Sequence, residues 1–378
     1  MKCLSKVSLI VFIITLPIYG NSTETLFNEQ ERKTILSFGP WPPTQRPDIS
    51  NRFSGNKKAI KLGKGLFFDK NLSKNNIFAC ASCHAPDRHF SDGLNVSKSA
   101  HIATSLTRNT PSILNLANNR WFGWGGETDS LWAHSIRPLL SPLEMGNTAS
   151  NLKQYINQKS TYRKLYFELA GKMPDQDSDN EVLVTIAKAL ASFQETLISP
   201  ASSFDSFREA LSKNNKDGIE KYSASAQRGL KLFIGEGRCN LCHFGSKFSS
   251  GEFADIGIPF LIKGGVDPGR YIGIKEFKTS PYNQMGAFND APKHMIKLTQ
   301  YVRLQHRNWG EFKVPSLRGI RHTAPYMHNG SIPTLEGVIE HYNNINMNRL
   351  HVDGERILRP LNLTKQQTQD LLTFLKSL

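Results

Sequence analysis

Two pentads, CASCH at residues 80–84 and CNLCH at residues 239–243, each set two thiols and an imidazole within five positions. Four of the chain's five cysteines lie in them. Such thiols serve disulfides, metal sites or haem attachment, and their spacing separates these uses. Cysteines three apart rarely bridge without strain, and a histidine at the next position adds nothing to a disulfide. A zinc ribbon brings its two pairs about 15–20 residues apart, whereas Cys80 and Cys239 are 159 positions apart. In C-x-x-C-H the thiols add to the two vinyl groups of haem, and the histidine reaches the iron as proximal ligand. The pattern therefore assigns Cys80, Cys83 and His84 to one covalently bound haem c, and Cys239, Cys242 and His243 to a second.

Elements that would position the pentads repeat as well. Residues 63–68 read GKGLFF and residues 229–234 read GLKLFI, matching at Gly63/Gly229, Leu66/Leu232 and Phe67/Phe233. This predicts an amphipathic helix packed over each haem. LVTIAKALASFQETL (183–197) and TKQQTQDLLTFLKSL (364–378) carry apolar residues at helical spacing, the second opened by a capping box at Thr364 and Gln367. Each half thus reads helix, pentad, long irregular insertion, closing helix. The polar stretch 212–223, SKNNKDGIEKYS, is the expected linker between domains at 21–211 and 224–378.

A chain of 378 residues, 39% hydrophobic and 10% aromatic, suits about two packed domains. In residues 1–20, Lys2 and Lys6 precede SLIVFIITLPIYG, a run too short and proline-marked for a stable membrane span. We expect an export signal, cleaved near Gly20 and taking Cys3 with it. That leaves no membrane span in the mature chain. A periplasmic location follows, since haem c is attached outside the cytoplasm. The formal charge of +15 is spread along the chain with no recognition motif, which favours a solvated surface or an acidic redox partner over nucleic acid. Walker, zincin and G-x-S-x-G patterns are absent.

Over roughly residues 40–378 the chain resembles the bacterial dihaem cytochrome c peroxidase/MauG family. The resemblance rests on the pentads together with RNTPSILN (108–115), WGGETDSLWAHSIRPLLSPLEMG (124–146) and KVPSLRGIRHTAPYMHNGS (313–331). It implies a mainly α fold of two cytochrome c-like helical domains, the N-terminal one holding the peroxide-binding haem and the C-terminal one the electron-transfer haem. Residue by residue, it makes Trp124 the relay between the haems and Glu144 the distal carboxylate of the first. Pro138 crowds the same pocket and keeps the sixth iron position open. Asn109, with the backbone carbonyls of Thr323 and Pro325, corresponds to a calcium site between the domains, a set of hard oxygens. Counting from KVPSLR, the distal ligand of the second haem falls on Tyr342, as in MauG-like relatives, where the peroxidases commonly have methionine. A phenolate favours higher oxidation states and a thioether the reduced haem. Met327 and Tyr326 are the alternatives, and Tyr342 as a packed aromatic is the plain reading.

Two departures stand out, Gly125 and His134, where relatives often have aspartate and glutamine. His134 is either a second proton carrier near Glu144 or a changed hydrogen-bond partner in the pocket. His101 lies where some relatives place a removable sixth ligand, and His341 points about 100° away from Tyr342 on a helix. Three functions follow: reduction of hydrogen peroxide with electrons from a small c-type cytochrome or cupredoxin, peroxide-dependent oxidation of aromatic residues in a partner protein, or plain electron transfer. Glu144 and Pro138 speak against the last, because a carrier needs neither an open position nor a proton shuttle.

Overall fold

The computed structural model describes residues 26–99, 106–258, 261–262, 265–292, 297–349 and 358–378. The expected export signal and His101 lie outside the described residues. The fold is mainly helical. Its first half contains α1 (Glu29–Leu36), α2 (Lys57–Phe67), α3 (Cys80–Cys83), α4 (Leu131–Leu140), α5 (Ala149–Gln158), α6 (Ser160–Ala170), α7 (Asp179–Gln194) and α8 (Ser203–Ser212). The second contains α9 (Lys216–Glu220), α10 (Ala224–Ile234), α11 (Arg270–Thr279), α12 (Lys297–Gln300), α13 (Leu335–Asn343) and α14 (Lys365–Leu375). Two short antiparallel pairs complete it: β1 (Phe253–Ala254) with β4 (Phe312–Lys313), and β2 (Leu261–Ile262) with β3 (Gly265–Val266). Among the described residues no helix is long and apolar enough to cross a membrane.

The predicted repeat is visible in the packing. In the first half α2 lies on α7, and in the second α10 lies on α14. A Cβ added to Gly63 would stand 2.0 Å from the Ala189 carbonyl oxygen, and one added to Gly229 would stand 2.0 Å from that of Asp370. The shared glycine is therefore the point where the two backbones of each pair touch. The shared phenylalanine follows the same plan: Phe67 meets Phe193 at 5.3 Å between ring centroids, and Phe233 meets Phe374 at 5.0 Å. The capping box at Thr364 and Gln367 opens α14 as read from the sequence, and Ser178 with Glu181 opens α7 in the same way.

Two hydrophobic clusters form. The first takes its buried side chains from residues 53–193, around α2, α4 and α7. The second is built on α8, α10, α13 and α14, and it also takes Phe27, Ile35 and Phe38 from α1 and its flanks. Phe204, Phe207 and Leu211 recur at helical spacing along α8 and face this second cluster. Thus α1 and α8, which lie before residue 213, pack with the C-terminal half. The segment 212–223 contains the short α9, and Tyr222 stacks on Phe207 at 4.5 Å.

Candidate functional site

Both pentads end in the same device. The helical turn Cys80–Cys83 brings the His84 amide onto the Cys80 carbonyl at 2.9 Å, and the turn at Cys239–Leu241 brings the His243 amide onto that of Cys239 at 2.8 Å. His84 Nδ1 donates to the Phe90 carbonyl at 3.0 Å and His243 Nδ1 to that of Phe248 at 2.9 Å. This tautomer leaves each Nε2 with its lone pair free for a metal. Phe90 and Phe248 both sit at positive φ, +56° and +51°, a conformation rare for bulky residues, and it is what aims their carbonyls at the rings. Carbonyls of Pro111 and Pro315 also face the two imidazoles. Burial holds both rings neutral, His243 at about 4 and His84 below its ordinary value. Neutral imidazole is the form that binds iron.

The four cysteines form no disulfide. Burial pushes Cys80 to about 12, Cys83 to about 11 and Cys239 to about 12. Among the described residues, no three His, Cys, Asp or Glu side chains gather to hold a metal ion. Thiols beside a neutral, oriented imidazole fit covalent haem.

Around the first pentad, the Glu144 carboxylate acts electrostatically on both Cys80 and Cys83. Burial raises the Glu144 carboxyl above its ordinary range, opposed by Arg137 and by a hydrogen bond with Ser141. Pro138 and His134 occupy one face of α4, four residues apart. His134 is close enough to His84 for their charges to interact. Burial, and then Arg137, drive His134 down to about 3, so it stays neutral near physiological pH. Its Nδ1 lies 3.2 Å from Thr128 Oγ1. That contact fits the reading of His134 as a hydrogen-bonding group of the pocket.

Trp124 is bonded to both halves of the chain. Its Nε1 donates to the Asn109 carbonyl at 2.9 Å, two residues before Pro111, and its own carbonyl receives the Lys313 amide at 2.8 Å. The indole also lines a cavity of about 410 Å³ at the second pentad. Beneath this loop lies a charge cluster that the sequence reading did not single out. Glu127 is 3% exposed and pairs with Arg108, which also grips Asp267 through two bonds of 2.7 Å. Despite burial, Arg108 and Arg137 keep Glu127 ionised. Gly125 is explained by the same cluster: a Cβ there would stand 2.8 Å from Glu127 Oε1 and 2.8 Å from the Gly269 carbonyl.

The cavity at the second pentad is walled by Cys239, Cys242 and His243, with Tyr342 and Met327. Tyr342, on α13, is close enough to Cys239 and Cys242 to feel their charge, and burial raises its phenol. His341 turns away and its Nε2 meets the Ile256 carbonyl at 2.7 Å, as the helical offset predicts. Tyr326 spends its hydroxyl on the Ile320 carbonyl at 3.0 Å, which leaves Met327 as the other ligand type in the cavity. Two amines, Lys247 and Lys313, also line it, each pushed down to about 8 by burial. Asn109, Thr323 and Pro325 share the wall. Asn109 Nδ2 donates to the Leu94 carbonyl at 2.7 Å, and no described residue donates to Asn109 Oδ1 or to the carbonyls of Thr323 and Pro325. Amide and carbonyl oxygens are the ligand type that calcium takes.

Comparison with known proteins agrees with this geometry. Residues 57–213 match the sequence family described as di-haem cytochrome c peroxidase, and residues 311–347 match one described as RoxA-like, cytochrome c-like. Over 319 residues the chain is 33% identical to the methylamine utilization protein MauG of Methylorubrum extorquens, spanning 84% of this chain and 77% of that one. It is 31% identical over 349 residues to the cytochrome-c peroxidase IdrP2 of a Pseudomonas species, spanning 91% and 85%. A solved MauG-like protein associated with microbial copper homeostasis superposes with a TM-score of 0.65 at 27% identity, over 90% of this chain and 93% of that one. The fold and the paired pentads define a cytochrome c-type oxidoreductase with two covalent haems. More narrowly, the chain belongs to the dihaem cytochrome c peroxidase family, whose members act on peroxide.

Proposed function

We propose that this protein reduces hydrogen peroxide to water at the centre built on His84, with electrons relayed through the centre built on His243. The observation that carries the reading is Glu144: a carboxyl raised by burial, within electrostatic reach of both thiols of the first pentad. A carboxyl tuned upward accepts and returns a proton near neutral pH. Haem supplies the open coordination position and the electron transfer. Glu144 takes the proton from one peroxide oxygen and delivers it to the other, so that water leaves. Pro138 limits what else can approach. Trp124, held by Asn109, bridges the two centres for electrons. Lys313 and Lys247, amines in the cavity wall, would pair with the propionates of a haem held there, Lys247 also donating to the Ala117 carbonyl and to Asn119 Oδ1 at 2.6 Å. Asn109, Thr323 and Pro325 bind calcium at the seam. The reductant is a small c-type cytochrome or cupredoxin, and the location is the periplasm, as the N-terminal twenty residues predict. Glu144→Gln should slow peroxide consumption by reduced cytochrome at least tenfold, and a variant with undiminished turnover would remove Glu144 from the mechanism.

Tyr342 favours a second reading, peroxide-dependent oxidation of aromatic residues in a partner protein. It lines the same cavity as His243, and a phenolate bound to a haem there would stabilise higher oxidation states. Slow turnover with reduced cytochrome, together with a long-lived oxidised state after peroxide, would decide for this reading.

A further inference from the structure

Trp121 and Trp124 stand three residues apart in the loop before α4, and their surroundings differ in charge. Trp121 is 2% exposed, and its indole N–H is buried with no hydrogen-bond acceptor. The Arg270 guanidinium lies 4.1 Å from the centre of its ring and that of Arg120 5.1 Å. Arg270, at the start of α11, is buried and donates through Nη1 to the carbonyls of Gly125 at 3.1 Å and Gly126 at 2.7 Å. Those partners are neutral, and burial lowers Arg270 only to about 10, so it stays a cation at neutral pH. Arg120 sits at the surface, its side chain 42% exposed, and pairs with Glu252 at 3.2 Å. The other rings on Trp121 are Phe277 at 5.5 Å and Phe253 at 6.1 Å, neither of which can take a proton. Trp124 differs, because its N–H has the Asn109 carbonyl at 2.9 Å.

We propose that Arg270 and Arg120 are positioning residues that hold Trp121 reduced, so that oxidising equivalents drawn from peroxide stay on Trp124. The inference rests on the reading of Trp124 as the relay. A cation over an aromatic face is attracted by the electron-rich ring, and that attraction is lost when the ring gives up an electron. An oxidised Trp121 would carry positive charge beside two guanidiniums, in a buried place where water screens little. An oxidised indole sheds its charge by releasing the N–H proton, and at Trp121 nothing stands ready to accept it. At Trp124 the Asn109 carbonyl holds that proton and eases electron loss. Arg270 also fixes the two carbonyls next to Trp124, so one side chain shapes the relay loop and guards the neighbouring ring. Where the guard fails, two electrons leave Trp121 for the haem centres, water adds one oxygen to the ring and two protons depart. The same two electrons and two protons reduce one peroxide to two waters.

The test gives the holoprotein repeated additions of hydrogen peroxide without a reductant. Oxygen addition at Trp121 is followed by peptide mass spectrometry, with a protease that does not cut at arginine. Arg120→Gln, a change at an exposed position, should raise the yield at Trp121 by about threefold, the scale of one exposed cation–π contact. Arg120→Lys, which returns the charge, should restore the wild-type yield, as a purely structural role for the guanidinium would not. Arg270→Gln should raise the yield further, and if that variant does not fold, the two Arg120 variants decide. A yield in Arg120→Gln equal to that of the wild type, or a rise in Arg120→Lys as large as in Arg120→Gln, overturns the proposal. The two readings fail separately. Protection that follows the charge at position 120, in a protein whose Trp124→Phe variant exchanges electrons between its haems at the normal rate, sinks the relay and leaves the guard. Yields indifferent to that charge, in a protein whose haems stop exchanging in Trp124→Phe, sink the guard alone.

Discussion

Glu144 and Tyr342 show how much a single side chain carries here. One faces the first centre with a carboxyl that burial has tuned, and the other lines the cavity of the second. If Tyr342 is the distal ligand, Tyr342→Phe changes the absorption and magnetic resonance spectra of the second haem and leaves those of the first alone. Unchanged spectra for both would move ligation to another group, with Met327 next in the cavity. The pentads were legible because covalent attachment fixes the spacing of thiols and imidazole in the chain itself. Their supports were not. The carbonyls of Phe90 and Phe248 reach the imidazoles through left-handed backbone that no propensity of phenylalanine announces. Arg108, Glu127 and Asp267 meet across 19 and 159 residues of sequence, and only the folded loop brings them together. Gly125 read as a departure of unknown effect, yet it clears the space that the Glu127 carboxylate fills.

The helix pairs α2–α7 and α10–α14 rest on two glycines whose counterparts across the contact are backbone carbonyls, which cannot rotate aside. Gly63→Ala and Gly229→Ala should each destabilise the protein by about 1–3 kcal/mol, measured by urea unfolding of the holoprotein. Alanine elsewhere in a helix would be expected to help, so a neutral result would show that the pairs are looser than drawn. Just past α7, Glu195 accepts from Ser54 at 2.6 Å, while its Oε1 is buried with no partner. Burial lifts this carboxyl to about 7, above the value it has in an unfolded chain. The folded state therefore holds the proton more tightly. Its contribution is complete below about pH 4 and is lost as pH rises through about 7. Replacing Glu195 by Gln should flatten the fall in stability across that window, and an unaltered slope would place its origin elsewhere. The pairing helices could be read from their repeated Gly, Leu and Phe positions. By contrast α11 sits in the irregular insertion, outside the repeated positions, so nothing in the repeat announced that Glu276 would reach Arg137.

Two hydrophobic clusters joined through Trp124 and the Arg108 cluster make one molecule of two halves, and the oxygens of Asn109, Thr323 and Pro325 line one cavity. A calcium ion at those oxygens would tie the halves together. Chelation should then lower the unfolding temperature and slow electron exchange between the haems, with both effects reversed by added calcium. An unchanged protein after chelation would argue that the oxygens hold only water. A helix pair beside each pentad could be anticipated from the repeat, but the partner of α1 could not, since its apolar residues fit either core. In the folded chain Phe38 stacks on Phe248 at 4.6 Å, and Phe27 meets Phe207. The docking surface of α1 is made by α8, α10 and the loop carrying Phe248, so it exists only once the second core has formed. Clipping α1 away would leave that core with an open flank.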